Sequence, residues 1–405
     1  MSLAPSSESA VETTAAAAAA ELTANSPVDL IPPDVERPEG PEEGIALCLS
    51  GGGYRAMLFH AGALIRLNQW GLLPRLRRVS SVSGGSITAG ALACAWSELA
   101  FDPATGVSPR LGEKVIDPLR RLAHRTLDVV NVALGGPLPG SIAEWIAGSY
   151  DRHLFRGKTL QDMPDDQSGP RFIFCATNVM TKALFRFSRP YLADWRIGQA
   201  RDPRLPIATA VAASAAFPPF LSPLTLDLDD YPFQPTQGAD HHQEPYTLRA
   251  VLTDGGVYDN LGLETAWKRY RTVLVSDAGG TYGPEKDPKT DWLRHSQRVI
   301  GLVYDQVRVL RTRQTIDAFR RQERDGALWT VRTDLSGADP FRIPAQRAQA
   351  MADVETRLRA MDETVQQQLI NWGYVACDAA ARAYWRRPPA PLTAPTALPF
   401  PDASI

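Results

Sequence analysis

The sequence predicts an α/β fold whose central sheet is mainly parallel and flanked by helices. One observation is alternation: strand signals at 45–50 and 77–82 are each followed by a helical stretch, at 55–70 and 84–99. Another is where the reactive residue types fall. Gly51, Ser83 and Asp254 each follow the end of a short apolar run, and open α/β sheets gather their sites at the carboxyl ends of strands.

The elements follow in order. Residues 1–40, rich in Ala, Ser, Pro and Glu, read as a flexible leader, so order is expected from about Gly44. Ile45–Ser50 is an apolar run that breaks into Gly51-Gly52-Gly53, and the strand at 77–82 leads into Ser83-Gly84-Gly85. Residues 101–170 are mostly helical material, with stretches at 113–134 and 142–154, and are placed to cap a site. Strand signals return at 171–175 and 183–187. A polar loop at 226–246 leads to a strand at 249–253 that delivers Asp254, and 272–276 reads as another buried strand. A long helix is expected over about 289–325 and a further one over about 344–372, before a Pro-rich tail. The expected division is a leader (1–40), a catalytic core (41–285) carrying the helical insertion, a helical region (286–387) completing the same domain, and a tail (388–405).

Composition narrows the function. The 405 residues are 44% hydrophobic and 22% charged with a formal net charge of −2, which is ordinary for a globular protein and gives no nucleic-acid footprint. The four cysteines, Cys48, Cys94, Cys175 and Cys377, form no C-x-x-C pair and suit buried free thiols in a reducing compartment. No basic region leads a leucine-rich core at the N-terminus, and no long apolar run suits a membrane span. The expected location is therefore cytoplasmic.

The chemistry lies in three segments. Consecutive glycines at 51–53 let backbone N–H groups line a small concavity fit for a developing oxyanion. A serine on a strand-to-helix turn, as Ser83 is expected to be, is lifted toward a substrate, and the N–H of Gly84 would face the same oxyanion. A seryl hydroxyl needs a base, and Asp254 followed by Gly255 and Gly256 can supply one beside a close chain reversal. An aspartate in that role should be desolvated and hold a raised pKa.

These residues resemble the patatin-like phospholipase family. Its G-G-G-x-R-G motif is matched by Gly51-Gly52-Gly53-Tyr54-Arg55-Ala56, and its G-x-S-x-G motif by Ser81-Val82-Ser83-Gly84-Gly85. Its D-G-[GA] motif is matched by Asp254-Gly255-Gly256, and Ala212–Phe220 is similar to the Pro-bearing segment the family carries before that aspartate. Alanine stands for one motif glycine at 56 and serine for another at 81. Ser81 would be strained by roughly a kcal/mol if its backbone needed the conformation glycine favours. The resemblance implies a three-layer fold, a Ser83–Asp254 dyad, an oxyanion hole at Gly51–Gly53, a nearby structural or phosphate-facing Arg55, a lipid substrate and no metal or organic cofactor.

Other readings compete. Gly51–Ala56 also fits a nucleotide-binding G-x-G-x-x-A, which expects an acid at the end of the next strand, where this chain has serines. A Ser-His-Asp triad in α/β-hydrolase order leaves only His295 after Asp254, on a charged helix, while His60 lies in an apolar helix. Asp240, His241, His242 and Glu244 read as a solvated loop before a metal site. The 294–325 stretch carries eight arginines against four acids, so a peripheral contact with anionic headgroups is weighed against an ordinary helix with its apolar stripe inward. An acyltransferase, or a catalytically silent lipid-binding scaffold, would use the same fold.

Overall fold

The computed structural model describes residues 41–127, 142–218, 221–280, 283–335, 340–403 and 405. The leader, part of the helical insertion and the last two residues of the 212–220 segment lie outside them.

The core strand is β1 (Glu42–Leu49), buried on both faces as parallel strands covered by helices are. Leu47 and Leu49 belong to the large core, while Ala46 and Cys48 belong to a second, smaller one on the opposite face. Helix α1 (Gly53–Gln69) follows directly, and β2 (Leu76–Ser81) pairs in parallel with β1 before entering α2 (Gly84–Ala95). Within the insertion, α3 (Asp117–Ala123) and α4 (Ile142–Tyr150) are helical, and α4 packs on the later helix α5 (Ile207–Ser214).

Strand β3 (Arg171–Asn178) continues the parallel sheet beside β2, and a meander of β4 (Ala183–Phe187), β5 (Tyr191–Asp194) and β6 (Gly198–Arg201) extends it antiparallel. After β7 (Leu224–Asp227), β8 (Arg249–Asp254) returns antiparallel to β3. Two short helices, α6 (Gly256–Asp259) and α7 (Glu264–Trp267), lead to β9 (Tyr270–Asp277), the parallel neighbour of β1 on its other side. Then come the long helix α8 (Trp292–Arg320), the parallel edge strand β10 (Asp325–Thr330), α9 (Ala345–Asp353) and α10 (Glu363–Tyr384). The result is a mixed α/β fold: a ten-stranded sheet with its parallel half at β10-β9-β1-β2-β3 and helices on both faces.

Two features of the C-terminal region differ from the sequence reading. It supplies a sheet strand, β10, between the two stretches where helices were expected. The helix expected over 344–372 is broken between Asp353 and Glu363. Arg55 explains the break: its guanidinium donates to the Ala352 carbonyl (2.7 Å) and the Val354 carbonyl (2.8 Å), so these oxygens serve a buried arginine. The segment beyond crosses the glycine loop as a strap, its Arg357 carbonyl accepting the Tyr54 N–H at 3.1 Å. Helix α10 then lies against α1 at a glycine crossing: a β-carbon on Gly62 would strike the Ile370 carbonyl, and one on Gly373 the Phe59 carbonyl. The tail packs back on this pair, with Asn371 donating to the carbonyls of Phe400 and Ala403.

Candidate active site

Ser83 and Asp254 meet because two strands approach β3 from opposite directions. Along the edge of β3 away from β4, Ser81 of β2 pairs with Phe174, and Asp254 of β8 pairs with Ala176. β2 runs parallel to β3 and β8 antiparallel, so their carboxyl ends face each other across Cys175. The sequence placed both residues at strand ends; that the strands run head-on was not expected.

Ser214, at the end of α5, fills the gap. Its hydroxyl donates to the Cys175 carbonyl at 2.6 Å and accepts the Ser83 N–H at 3.0 Å. The Asp254 N–H is donated to the Ala216 carbonyl at 2.9 Å, and the Thr177 hydroxyl donates to the Asp254 carbonyl at 2.9 Å. Sequence reasoning had singled out the 212–220 segment, but it had no signal for Ser214 as the bridge.

Ser83 has φ 52° and ψ −120°, a strained conformation for a side-chain-bearing residue, worth about 1–3 kcal/mol. The strain expected at Ser81 is absent there: Ser81 ends β2 with ordinary strand geometry. Its hydroxyl donates to the Ile173 carbonyl (3.2 Å) and accepts from Ser86 (3.0 Å), so serine at this motif position is put to use. The turn is tight enough that a β-carbon on Gly84 would overlap the Gly53 carbonyl, and one on Gly85 the Leu49 carbonyl. Glycine at both positions brings the elbow against the glycine loop.

The loop itself narrows the expected donor set. The Gly51 N–H is donated to the Asn260 carbonyl at 3.1 Å, so it is not free to face the cavity. Gly52 and Gly53 line the cavity with Ser83 and Asp254. They adopt φ 138° and 58°, conformations that glycine takes without penalty. Below the loop His60 is fully buried, its Nδ1 2.7 Å from the Ser276 hydroxyl and its Nε2 2.9 Å from the Ser50 carbonyl. Burial lowers its pKa to about 4, so this histidine is neutral and braces the ends of β1 and β9. His295 is exposed on the first turn of α8 and is not part of the cavity wall.

Asp254 is 2% exposed, and burial pushes its pKa up to about 7. Two contacts pull the other way: the Gly256 N–H donates to Oδ1 at 2.7 Å, and the Ser83 hydroxyl lies close enough to favour the charged form. Oδ2 has no partner in full hydrogen-bond geometry. Gly255 and Gly256 make the turn after Asp254; a β-carbon on Gly255 would meet the Cys175 carbonyl. From the core side comes Tyr150 of the insertion, fully buried, its pKa raised by burial and then by the Asp254 charge. No described residue of 101–170 lines the cavity, so the expected cap is not formed by those residues.

The cavity holds about 530 Å³. Its apolar wall includes Phe217, Leu221, Val354 and Leu358; its polar side includes Arg308 and Arg332. The strap and α8 enclose it, the latter through Gln297, Tyr304, Asp305 and Arg308. Arg308 is engaged by Asp277 at 2.8 Å. Arg55 also reaches the wall, but its terminal nitrogens are taken by the carbonyls of Ala352, Val354 and Ala278. Burial lowers its pKa to about 10, so it remains a cation. Asn260, missed in the sequence, also lines the cavity. Its side-chain oxygen sits where β-carbons on Gly51 or Gly256 would go, between the glycine loop and the aspartate turn. Its place six residues after Asp254, on the same reversal, is the signal that could have found it.

The remaining sequence candidates are held elsewhere. Asp240 is paired with Arg196 at 2.6 Å, which pulls its pKa down to about 2, and His242 places Nδ1 2.8 Å from the Ile197 carbonyl. Among the described residues no group of His, Cys, Asp and Glu is arranged to hold a metal ion.

Sequence comparison matches this geometry to a family: the Patatin model, described as patatin-like phospholipase, aligns with residues 47–267. The chain belongs to the patatin-like phospholipase family. That span takes in the glycine loop, the elbow and the aspartate turn. A search of the curated proteins finds no match. Among solved structures, human GIVD cytosolic phospholipase A2 is similar with a TM-score of 0.47 and 14% identity over 82% of this chain and 60% of that one. Its complex with methyl gamma-linolenyl fluorophosphonate gives the same TM-score and identity. VipD from Legionella pneumophila is similar with a TM-score of 0.29 and 18% identity, over 64% of this chain and 52% of that one. The chain thus spans less than two thirds of these proteins.

Proposed function

We propose that the protein hydrolyses carboxylic ester bonds of phospholipids or related acyl lipids through a Ser83–Asp254 dyad. The observation that carries this reading is the head-on meeting of β2 and β8, which places a strained serine and a buried aspartate on one cavity. Asp254 takes the Ser83 proton as Oγ attacks the ester carbonyl, and N–H groups of Gly52 and Gly53, with that of Gly84, hold the oxyanion. Collapse of the tetrahedral intermediate breaks the ester bond, Asp254 returns the proton to the leaving alcohol, and an acyl-enzyme remains. Asp254 then takes a proton from water as its oxygen attacks the acyl-enzyme carbonyl, and returns that proton to Ser83 Oγ as the acyl–Oγ bond breaks and the fatty acid leaves. A pKa near 7 suits both halves, since one group must accept and return a proton at neutral pH.

The apolar wall suits an acyl chain, and the arginines of the polar side suit a phosphate. No described helix is long and apolar enough to cross a membrane. The test is product analysis with phospholipids, lysolipids and short acyl esters. Free fatty acid equal to the ester lost is expected. Acyl transfer to an added alcohol in preference to water would make the protein an acyltransferase, and no turnover of any ester would leave a silent lipid-binding scaffold.

A further inference from the structure

Helix α8 has two unlike faces. Gln297, Tyr304, Asp305 and Arg308 turn toward the catalytic cavity, and Tyr304 packs on Phe217 with ring centroids 5.5 Å apart. Trp292, Val299, Val303 and Leu310 are spaced by seven, four and seven residues, which puts them in one stripe on the opposite side. All four are exposed, Trp292 at 82% and Leu310 at 60%, and Leu302 and Ile300 flank them, also exposed. The sequence reading weighed a headgroup contact through this helix's arginines against an ordinary helix with its apolar stripe inward and the rest in solvent. The structure reverses much of the latter: Val299, Leu302 and Val303 face water, while Arg294, Arg298, Arg308 and Arg311 are paired with Asp291, Glu285, Asp277 and Glu264.

We propose that this outward stripe is a docking surface for a lipid bilayer, holding the catalytic cavity close to the membrane. Three observations select a bilayer as occupant. The outward sector between Trp292 and Gln314 contains no carboxylate, Asp317 standing one turn beyond it, and exposed Arg313 lies on it, so its charge complements an anionic headgroup layer. Trp292, at the helix start, is the amphipathic ring type that settles at a headgroup boundary. An in-plane amphipathic helix has this arrangement, an apolar side for the acyl boundary and a charged side kept by the protein. Because the same helix forms a cavity wall, a membrane on its outer face lies about one helix diameter from the cavity that holds Ser83.

This inference rests on the lipid-hydrolase reading for its purpose but not for its test. Binding of the full chain to phosphatidylcholine–phosphatidylglycerol vesicles is measured by co-sedimentation, with Ser83→Ala as well as wild type, so no chemistry is needed. Both should bind, and a Trp292→Glu/Val303→Glu variant should bind roughly tenfold or more weakly, because two apolar anchors become charges. That variant should keep wild-type turnover of a soluble short-chain ester, which also reports that it is folded. Vesicle binding equal to wild type in the variant, or none by wild type, would overturn the proposal. So would a wild-type dimer that the variant converts to monomer, which would make a second copy of the chain the true cover. Failure of the Ser83 assignment is a separate result, seen as ester turnover that survives Ser83→Ala while the sedimentation results stand.

Discussion

Ser83→Ala is expected to lower turnover of an activated acyl ester by about 10⁴-fold or more, the loss that follows removal of a nucleophile from a hydrolase. The fold should be unharmed. The Ser83 hydroxyl makes no structural hydrogen bond, and the bond from its backbone N–H to Ser214 is kept in the variant. Alanine inherits the backbone strain at φ 52° without relieving or worsening it, so the unfolding midpoint should move little. The check pairs steady-state rates with a denaturation curve. Near-normal turnover by a folded variant would remove Ser83 from the mechanism.

Asp254→Asn is expected to cost a similarly large part of the activity, about 10³-fold or more, because the amide cannot take the serine proton. His295→Ala should keep most activity, since that exposed side chain stands apart from the cavity. The pH dependence gives a second reading. With a pKa of about 7, Asp254 is mostly protonated at pH 5 and cannot act as a base. The wild-type kcat/KM should therefore rise as pH passes upward through about 7, where an ordinary aspartate would already be charged by pH 5. Stability runs the other way. Between about pH 4 and about pH 7 the folded state holds a proton on Asp254 that the unfolded chain has released, so stability falls as pH rises through that window. Asp254→Asn removes this contribution, and its stability relative to wild type should be greater at pH 8 than at pH 5. A flat rate profile from pH 5 to 8 would contradict the buried base.

Much of this was legible in residues whose chemistry depends on local geometry. Glycines 51–53 and the small-residue elbow at 81–85 announce strand-turn-helix junctions, because few other residues permit them. What stayed hidden depends on distant partners. The direction of β8 is set by pairing with β3, about 75 residues earlier, and no local pattern reports whether a strand arrives parallel or antiparallel. The break after α9 has no proline or glycine to mark it; it comes from the carbonyls that Arg55 draws from nearly 300 residues away. Gly51 illustrates the limit within a motif. Its type was right for the loop, yet the Asn260 carbonyl takes its N–H. The outward stripe of α8 escaped for a related reason: periodicity locates an apolar face but cannot say what covers it.

The most direct test is covalent. Incubated with an alkyl fluorophosphonate and digested for mass spectrometry, the wild-type protein should carry one phosphonyl group, on Ser83. Labelling should speed up with rising pH through about 7 and slow sharply in Asp254→Asn, because formation of the adduct needs the same deprotonated nucleophile. An adduct on another serine, or labelling of Ser83 that is indifferent both to pH and to the loss of Asp254, would contradict the dyad.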